Sequence, residues 1–594
     1  MAPVRLTKSD LNTASEEKLG RALHISPRLA QRIMRMRPYA VPEDLQRVWG
    51  LDERTLGLLS DILQPTEGAE AAVLPEEAAV VGPGVELVDA PVKVREQRRL
   101  PLGTTLTLLA ILLAGAYLRL SGLNWDQNTH QHPDERFLTI VAERIQPVAL
   151  SDYFNTAVST LNPFQAGAGY TYGMLPLFLT RLVGGWLDMT HYDKVVLVGR
   201  ALSGLFDLAA LLLLFILGRM LFNRRVGLLA AGLYAVAVLP IQLSHFFTVD
   251  SFASVFIVAG FIFAYQAVPL LPGKNGGGKI SLVHFGLFGL VTGLAMACKI
   301  NTIAFFGVIG LAAAAYLITV WGNKADRWRT VWELVKGLLI AGAVGFAAFR
   351  IANPYTFLGP DFFGLRIYPR WLQVIKEVTG QVAGKSEWPP NHHWTSRGTA
   401  YAWLNMVGWG LGWPLGLAAW AGWLFAIWRC FKGEWRRLLL PAAWVGGYFL
   451  WQNIQFWRYM RYFMPVYPIL VLLAAWGLVR LWDWAQASRG ELKEVVKSRF
   501  KQKWTWKIGL PGLTAWAALI AVLGGTILYA IGFTGLYRQP ITRMAASQWM
   551  IENIRGPLNV VVDSADGTQS YPISSPARFT YAEGERYHSA FIPK

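Results

Sequence analysis

Apolar stretches of about 20 residues recur over most of the chain and alternate with shorter polar segments. A helix of that length crosses the hydrocarbon core of a bilayer, so each stretch is a candidate membrane span. The stretches begin near Leu102, Val195, Val226, Ser251, Ser281, Asn301, Leu334, Tyr401, Leu438, Phe463 and Ile508. This pattern predicts an all-α polytopic membrane protein with about 11 transmembrane helices.

Polar sequence precedes the first span and falls into two parts. Residues 1–64 contain helix-start signals such as Thr13 followed by Glu16, which is the spacing of a capping box. These signals predict a small helical domain. Residues 65–101 are rich in Pro, Gly, Ala and Glu before they turn basic, a composition typical of a flexible linker.

The membrane domain covers residues 102–537 and contains two long polar loops, at residues 122–193 and 353–400. Residues 172–187 in the first loop are moderately apolar, so we expect a helix in the membrane interface there and not a full span. Residues 538–594 combine an amphipathic stretch with one predicted strand. Because fewer than about 60 residues can hardly bury a core of their own, this short α/β segment should pack on the loops or begin a larger domain.

Charge placement predicts the side of the membrane that each loop faces. Charged residues make up only 16% of the chain, against roughly 25% in soluble domains, and the net charge is +18. The basic residues fall in every second loop, as they do in the cytoplasmic loops of membrane proteins. We therefore expect a multi-pass protein of the cell membrane with a cytoplasmic N-terminus and an extracytoplasmic C-terminus. The two cysteines, Cys298 and Cys430, imply no disulfide framework.

The most distinctive polar run, residues 124–136, directly follows the first span and contains His130, His132, Asp134 and Glu135. These side chains would lie at headgroup depth on the outer side, where a carboxylate can act as a general base on a membrane-bound substrate. His130, His132 and Asp134 also have the residue types of a metal site, but not the spacing of a closed one. No cofactor is firmly implied, and a divalent cation stays an open alternative.

Several different polar motifs lie at the predicted outer ends of the spans. They are HPDERF (residues 132–137), YGMLPL (172–177), GRALS (199–203), SHFFTVDSF (244–252), CKIN (298–301), NPY (353–355) and RYMRYFMP (458–465). In their order and sidedness they resemble the GT-C class of membrane glycosyltransferases and, within it, glycosyltransferase family 39, which includes protein O-mannosyltransferases and lipid A aminoarabinose transferases. The resemblance implies a hexosyl- or pentosyltransferase that moves a sugar, with inversion, from a polyprenyl-phosphate carrier to a protein, lipid or glycan acceptor on the outer face.

This reaction needs a base for the acceptor hydroxyl and positive charge for the departing phosphate. The resemblance implies that Asp134 is the base and that Asp250 assists it or positions the acceptor. The adjacent Glu135 would position the acceptor or orient a partner. A solvated loop carboxylate at Asp134 and a helix cap at Asp250 are the structural alternatives.

Further candidates for the site come from cations and rings at the predicted outer ends of the spans. Cations there break the positive-inside rule, and binding of the donor phosphate would explain them, with snorkelling to the interface as the alternative. These candidate phosphate ligands are Lys299, Arg350, Arg458 and Arg461. The candidates for acceptor or sugar contacts are His132, His392, His393, Trp388 and Tyr355.

The first domain resembles the helix-hairpin-helix domains of competence proteins in residues 10–14, 29–33, 43–45 and 48–51. Glycine-rich hairpins of that family present backbone amides to DNA phosphates. Here the first hairpin reads His24-Ile25-Ser26, and the second keeps only Gly50. We therefore expect a cytoplasmic docking module and not a nucleic-acid partner.

Two other functions remain as alternatives to the glycosyltransferase. A secondary transporter also has many spans and charged residues within them, but such proteins tend to contain repeats and broken helices near the membrane midplane. The sequence shows no convincing repeat, and its distinctive polar residues cluster at one face. A membrane-anchored DNA-binding or uptake component would depend on the first domain, whose hairpin glycines are missing.

Overall fold

The computed structural model describes residues 100–166, 169–271, 279–322, 326–385, 392–499, 510–539, 541–553, 559–564 and 567–572, and, nearer the N-terminus, residues 11–12, 14–15, 19, 23, 27–35, 45, 48, 59 and 63. The chain divides into two units, Met1–Glu96 and Gln97–Lys594. The predicted linker residues up to 99 and the hairpin residues His24, Ile25, Ser26 and Gly50 lie outside the described residues.

The described part of the first unit is centred on α1 (Pro27–Arg35). Ala30 and Ile33 are one turn apart on this helix, so they face the same side. Both are fully buried, together with Leu11, Leu19 and Leu59. A small apolar core of this kind agrees with the predicted helical domain.

The second unit is built almost entirely of helices. They are α2 (Leu102–Leu120), α3 (Pro133–Arg144), α4 (Pro163–Ala166), α5 (Met174–Trp186), α6 (Tyr192–Leu221), α7 (Arg224–Ala235), α8 (Val238–Ser244), α9 (Asp250–Ala267), α10 (Leu282–Cys298), α11 (Phe306–Val320), α12 (Arg327–Ala352), α13 (Pro369–Val382), α14 (His392–Thr395), α15 (Ala400–Asn405), α16 (Trp413–Arg429), α17 (Trp435–Asn453), α18 (Tyr467–Arg499), α19 (Leu510–Thr534) and α20 (Thr542–Asn553). Short 3₁₀ turns include Ile300–Phe305 before α11 and Met460–Val466 before α18.

The described strands are short. β1 (Phe357–Leu358) pairs antiparallel with β2 (Arg366–Ile367) in the second long loop. Near the C-terminus, β3 (Asn559–Ser564) pairs antiparallel with β4 (Gly567–Pro572). The strand predicted after the amphipathic stretch is therefore one half of a hairpin that follows α20.

The predicted all-α polytopic membrane fold is confirmed. Among the described residues, 8 helical segments are long and apolar enough to cross a membrane, or up to 9 if α7 and α8, which meet at 57°, form one bent span. The segment Trp413–Asn453 counts once although it contains both α16 and α17, and α10 is apolar but only 17 residues long. The number of spans, about 11, stays a prediction.

One predicted span begins later than the sequence pattern suggested. The apolar stretch from Tyr401 contains α15 and a π-helical turn, Met406–Gly410, and the long helix α16 begins only at Trp413. Gly412 separates them with φ +79°, a left-handed conformation that a helix cannot contain and that glycine adopts without strain. Hydrophobicity does not reveal such a break, because the residues on both sides are apolar.

Small residues allow α10 and α12 to approach closely. A Cβ atom at Gly289 would collide with the carbonyl oxygen of Ala341, and one at Gly293 would collide with that of Gly345. Close backbone contact at glycine is a common way for membrane helices to associate. Because α10 leads directly into Lys299, this contact also helps to fix one side of the candidate site.

Candidate active site

Arg200, on α6, fixes the polar run that follows the first span. Its guanidinium donates to both carboxylate oxygens of Glu135, each at 2.7 Å, and to those of Asp126, at 3.0 and 2.9 Å. The backbone N–H of Phe247 donates to Glu135 at 2.7 Å, and Glu135 is 0% exposed. Since its carboxylate is enclosed and fully used, Glu135 does not face an acceptor. Of the two roles expected for Glu135, contact with the acceptor is revised and orientation of a partner agrees with the structure: Glu135 holds Arg200 and orients the start of α3.

Asp134 lies at the start of α3, immediately after Pro133 at the first helical position. The carboxylate forms an ion pair with Arg461 and accepts a hydrogen bond from the Tyr172 hydroxyl. Burial opposes ionisation of Asp134, but the positive charge of Arg461, together with His132 and the hydrogen bonds from Arg461 and Tyr172, keeps the pKa of Asp134 below its usual value. Asp134 is therefore a carboxylate at neutral pH.

A second acid and cation pair lies beside the first. Asp250 begins α9, and its Oδ1 is 2.7 Å from the Nζ of Lys299, which follows α10. The same Nζ lies 4.5 Å from the centre of the Tyr462 ring, and the Arg461 guanidinium lies 5.5 Å from it. Tyr462 thus joins the two ion pairs. We call Asp134, Arg461, Asp250 and Lys299 the acid–cation centre.

His132 lies beside the acid–cation centre. Its Nδ1 accepts the N–H of Glu135 at 3.4 Å and so caps α3. Burial, followed by the nearby charge of Arg461, lowers the pKa of His132 to about 4. A neutral imidazole can exchange hydrogen bonds with a substrate hydroxyl without adding charge to the acid–cation centre.

Arg350 and Tyr355 are not brought to this centre. Arg350 is 0% exposed, and its guanidinium donates to the carbonyl oxygens of Asp361, Pro354 and Phe362 at 2.7, 2.9 and 3.1 Å. It is occupied in fixing the loop after α12, so its predicted contact with phosphate is revised. Tyr355 is fully buried, with its hydroxyl 2.5 Å from that of Ser159, and its predicted contact with an acceptor is revised for the same reason.

Arg458 and His393 lie in a neighbouring cavity and not among the four charged residues. The Nε of Arg458 donates to the carbonyl oxygen of Asn453 at 2.8 Å. His392 begins the short helix α14, but its side chain is not among the described ones, and Trp388 lies outside the described residues. The predicted roles of these last two residues stay predictions.

His130 points elsewhere. Its Nε2 is 3.9 Å from Asp193, and its ring lies against that of Tyr192, with centroids 3.9 Å apart. Across the described ranges, no three His, Cys, Asp or Glu side chains are grouped so that they could hold a metal ion. A divalent cation therefore stays an untested alternative.

Sequence reasoning missed Arg200, Asp126, Tyr172 and Tyr462. A signal did exist for Arg200, since a charged residue inside an apolar membrane helix is costly unless it has a partner. The two tyrosines stand within the quoted motifs, but tyrosine is common at membrane interfaces, so its presence there predicts no particular contact.

Two segments of the chain match protein-family models. Residues 192–349, which include Arg200, Asp250 and Lys299, match the model described as dolichyl-phosphate-mannose-protein mannosyltransferase. This segment is similar to that mannosyltransferase family. The resemblance seen in the motifs is confirmed, and it favours the glycosyltransferase over the transporter. Residues 5–63 match the helix-hairpin-helix motif, so that resemblance of the first domain is confirmed as well.

Two solved membrane glycosyltransferases are among the structures similar to this chain. The oligosaccharyltransferase AglB of Archaeoglobus fulgidus, in complex with an inhibitory peptide and a dolichol-phosphate, has a TM-score of 0.49 at 14% identity, over 83% of this chain and 60% of its own. ArnT of Cupriavidus metallidurans, bound to undecaprenyl phosphate, has a TM-score of 0.45 at 17% identity, over 77% and 82%. No curated protein matches.

Proposed function

We propose that this chain is a glycosyltransferase that moves a sugar from a polyprenyl-phosphate carrier to a hydroxyl of a protein, lipid or glycan acceptor on the outer face of the cell membrane. The observation that carries the proposal is the acid–cation centre, where two carboxylates and two cations from four different parts of the chain meet. Two of the four, Asp250 and Lys299, lie inside the mannosyltransferase-family segment.

Asp134 is the proposed base. It would take the proton of the acceptor hydroxyl while the oxygen attacks the anomeric carbon. The bond from that carbon to the phosphate oxygen breaks, and its electron pair leaves with the polyprenyl phosphate. Attack from the side opposite the leaving group inverts the anomeric carbon.

Arg461 and Lys299 would bind the carrier phosphate and stabilise the charge that develops on it. Because these cations supply the positive charge, the proposal does not require a divalent cation. Asp250 would hold Lys299 in place, and the neutral His132 would contact the acceptor.

Arg461 links donor binding to the strength of the base. Without donor, its guanidinium stabilises the Asp134 carboxylate, which makes that carboxylate a weak base. A phosphate bound to Arg461 would share this positive charge, and the basicity of Asp134 would rise. The base would therefore reach full strength only when the donor is present.

The decisive experiment is sugar transfer from a panel of labelled polyprenyl-phosphate sugars by the full chain in lipid nanodiscs. Asp134→Asn should lower transfer by about 10²–10⁴-fold, the usual contribution of a general base. Asp188→Asn is the matched control, because Asp188 is exposed in the same loop and asparagine tolerates its φ of +54°. Equal loss in both variants would remove Asp134 from the mechanism. Solute flux across sealed vesicles with no turnover of any donor would support a transporter instead.

A further inference from the structure

A cavity of about 340 Å³ lies beside the acid–cation centre. It is enclosed by the end of the second long loop, by α15 and by the connection between α17 and α18. Its walls include His393, Trp394, Arg397, Tyr401, Arg458 and Tyr459. This volume is at the lower end of the range for small-molecule sites, about 300–1,000 Å³.

The walls are cationic, and backbone carbonyl groups hold the two arginines in place. Arg397 Nε donates to the carbonyl oxygen of His393 at 3.2 Å, and its guanidinium lies 4.5 Å from the centre of the Tyr401 ring. Arg458 Nη1 donates to the carbonyl oxygen of Arg397 at 2.8 Å. Within the described ranges, neither arginine forms an ion pair with a carboxylate, whereas Arg461 does. Part of each guanidinium thus remains available to an anion.

Trp394 adds a buried donor to the same walls. The residue is only 5% exposed, and among the described residues its indole N–H has no acceptor. Its ring packs edge-on against Tyr459, with centroids 4.7 Å apart. A buried donor without an acceptor is unfavourable, so a ligand that supplies acceptor oxygens would be stabilised here.

One aromatic ring separates this cavity from the proposed base. The ring of Tyr459 lies 6.0 Å from the Arg461 guanidinium and 5.5 Å from the Tyr462 ring. Arg461 in turn pairs with Asp134. In the proposed reaction Arg461 binds the carrier phosphate, which leaves the anomeric carbon as the acceptor oxygen attacks it. The cavity is therefore available to the other substrate, the acceptor.

We propose that the cavity binds a phosphate group carried by the acceptor and so directs a neighbouring hydroxyl towards Asp134. The inference rests on the proposed transfer reaction and names its second substrate as a phosphorylated sugar or lipid headgroup. Paired guanidinium groups fit phosphate oxygens, and the aromatic walls can pack against a sugar ring. Arg458 then contacts the acceptor, in place of its predicted contact with donor phosphate.

The test is calorimetric titration of the full chain in phosphatidylcholine nanodiscs with mannose 6-phosphate and, separately, with mannose. We expect mannose 6-phosphate to bind at least about tenfold more tightly than mannose. Arg397→Gln should weaken the binding of mannose 6-phosphate at least about tenfold, as expected for a lost charge-assisted hydrogen bond. Arg366→Gln is the control, because Arg366 is an exposed arginine of the same loop. A thermal melt establishes that each variant is folded.

A second arm identifies the source of the phosphate. If lipid headgroups are the acceptors, phosphatidylglycerol in the nanodiscs should block the binding of mannose 6-phosphate. If soluble phosphorylated sugars are the acceptors, mannose 6-phosphate should still bind in these nanodiscs. Equal affinity for mannose and mannose 6-phosphate would overturn the inference. So would an Arg397→Gln variant that weakens undecaprenyl phosphate binding as much as mannose 6-phosphate binding.

The titration measures binding without turnover, so it tests the acceptor subsite independently of the proposed transfer reaction. A chain that transfers sugar from its donor but does not bind mannose 6-phosphate contradicts only the acceptor subsite. A chain that binds mannose 6-phosphate through Arg397 but turns over no donor contradicts the proposed function, and with it the role of this phosphate as an acceptor group.

Discussion

Asp134 and Glu135 are adjacent at the start of α3 but have different roles. Successive side chains on a helix point about 100° apart, so Asp134 and Glu135 face different partners. Asp134 meets Arg461 and stays partly accessible, whereas Glu135 meets Arg200 in a fully buried network. Asp134 can therefore act on a substrate, whereas Glu135 stabilises the structure. The sequence alone shows only two adjacent carboxylates.

The pH dependence of transfer should report the pairing of Asp134 with Arg461. The base works when it is deprotonated, so activity rises with pH through its pKa. Arg461 lowers that pKa against the opposing effect of burial, so Arg461→Gln should raise it and shift the acid limb of kcat/KM to higher pH. Rate profiles from about pH 3 to 8 measure this shift.

Arg366→Gln serves again as the control and should leave the acid limb unchanged. Arg461→Gln should also raise KM for the donor, but loss of phosphate binding alone would not move the limb. An acid limb that stays in place, or moves to lower pH, would contradict the pairing.

At the scale of elements, Arg200 joins the first outer loop to α6. Removing one partner of a buried ion pair leaves the other charge uncompensated and costs about 3–5 kcal/mol. Arg200→Met should therefore lower the melting temperature of the protein in detergent by several degrees. Arg219→Met changes an exposed arginine at the other end of α6 and should have little effect. Equal melting of both variants would show that the network contributes no net stability.

The contact between α10 and α12 gives a second prediction at this scale. Gly289→Ala would place a methyl group against the Ala341 carbonyl and push the helices apart, at a cost of about 1–3 kcal/mol. Gly286→Ala is the matched control one turn earlier on α10, where the nearest atom to a new Cβ is a side-chain methyl at 3.6 Å. Thermal unfolding of the two variants should differ clearly, and a tolerated Gly289→Ala would contradict the close approach.

At the scale of the whole molecule, the site lies entirely within the second unit, Gln97–Lys594. Deleting residues 1–64 keeps the basic residues before the first span, so we expect kcat/KM for sugar transfer to stay within about twofold of the full chain. The measurement is transfer by both proteins in identical nanodiscs. Lost turnover in a correctly inserted deletion variant would give the first domain a direct role in catalysis.

The sequence predicted the features that depend on composition and local order. Long apolar stretches reveal spans, and a motif such as HPDERF marks Asp134 because its chemistry stands out against apolar neighbours. Long-range partners are not visible in this way. Position alone could not tell whether Arg350 meets a phosphate or three carbonyl oxygens, and nothing near Asp126 or Glu135 in the sequence named Arg200 as their common partner.

The connection between α17 and α18 has a kinetic consequence. Within four residues it carries Arg458 of the cavity and Arg461 of the acid–cation centre, and Tyr459 packs between these two places. A donor that draws Arg461 away from Asp134 would also shift the wall against which the acceptor rests. The two substrates should then add in a compulsory order, carrier first, so that spent carrier competes with the donor for the empty enzyme and not with the acceptor.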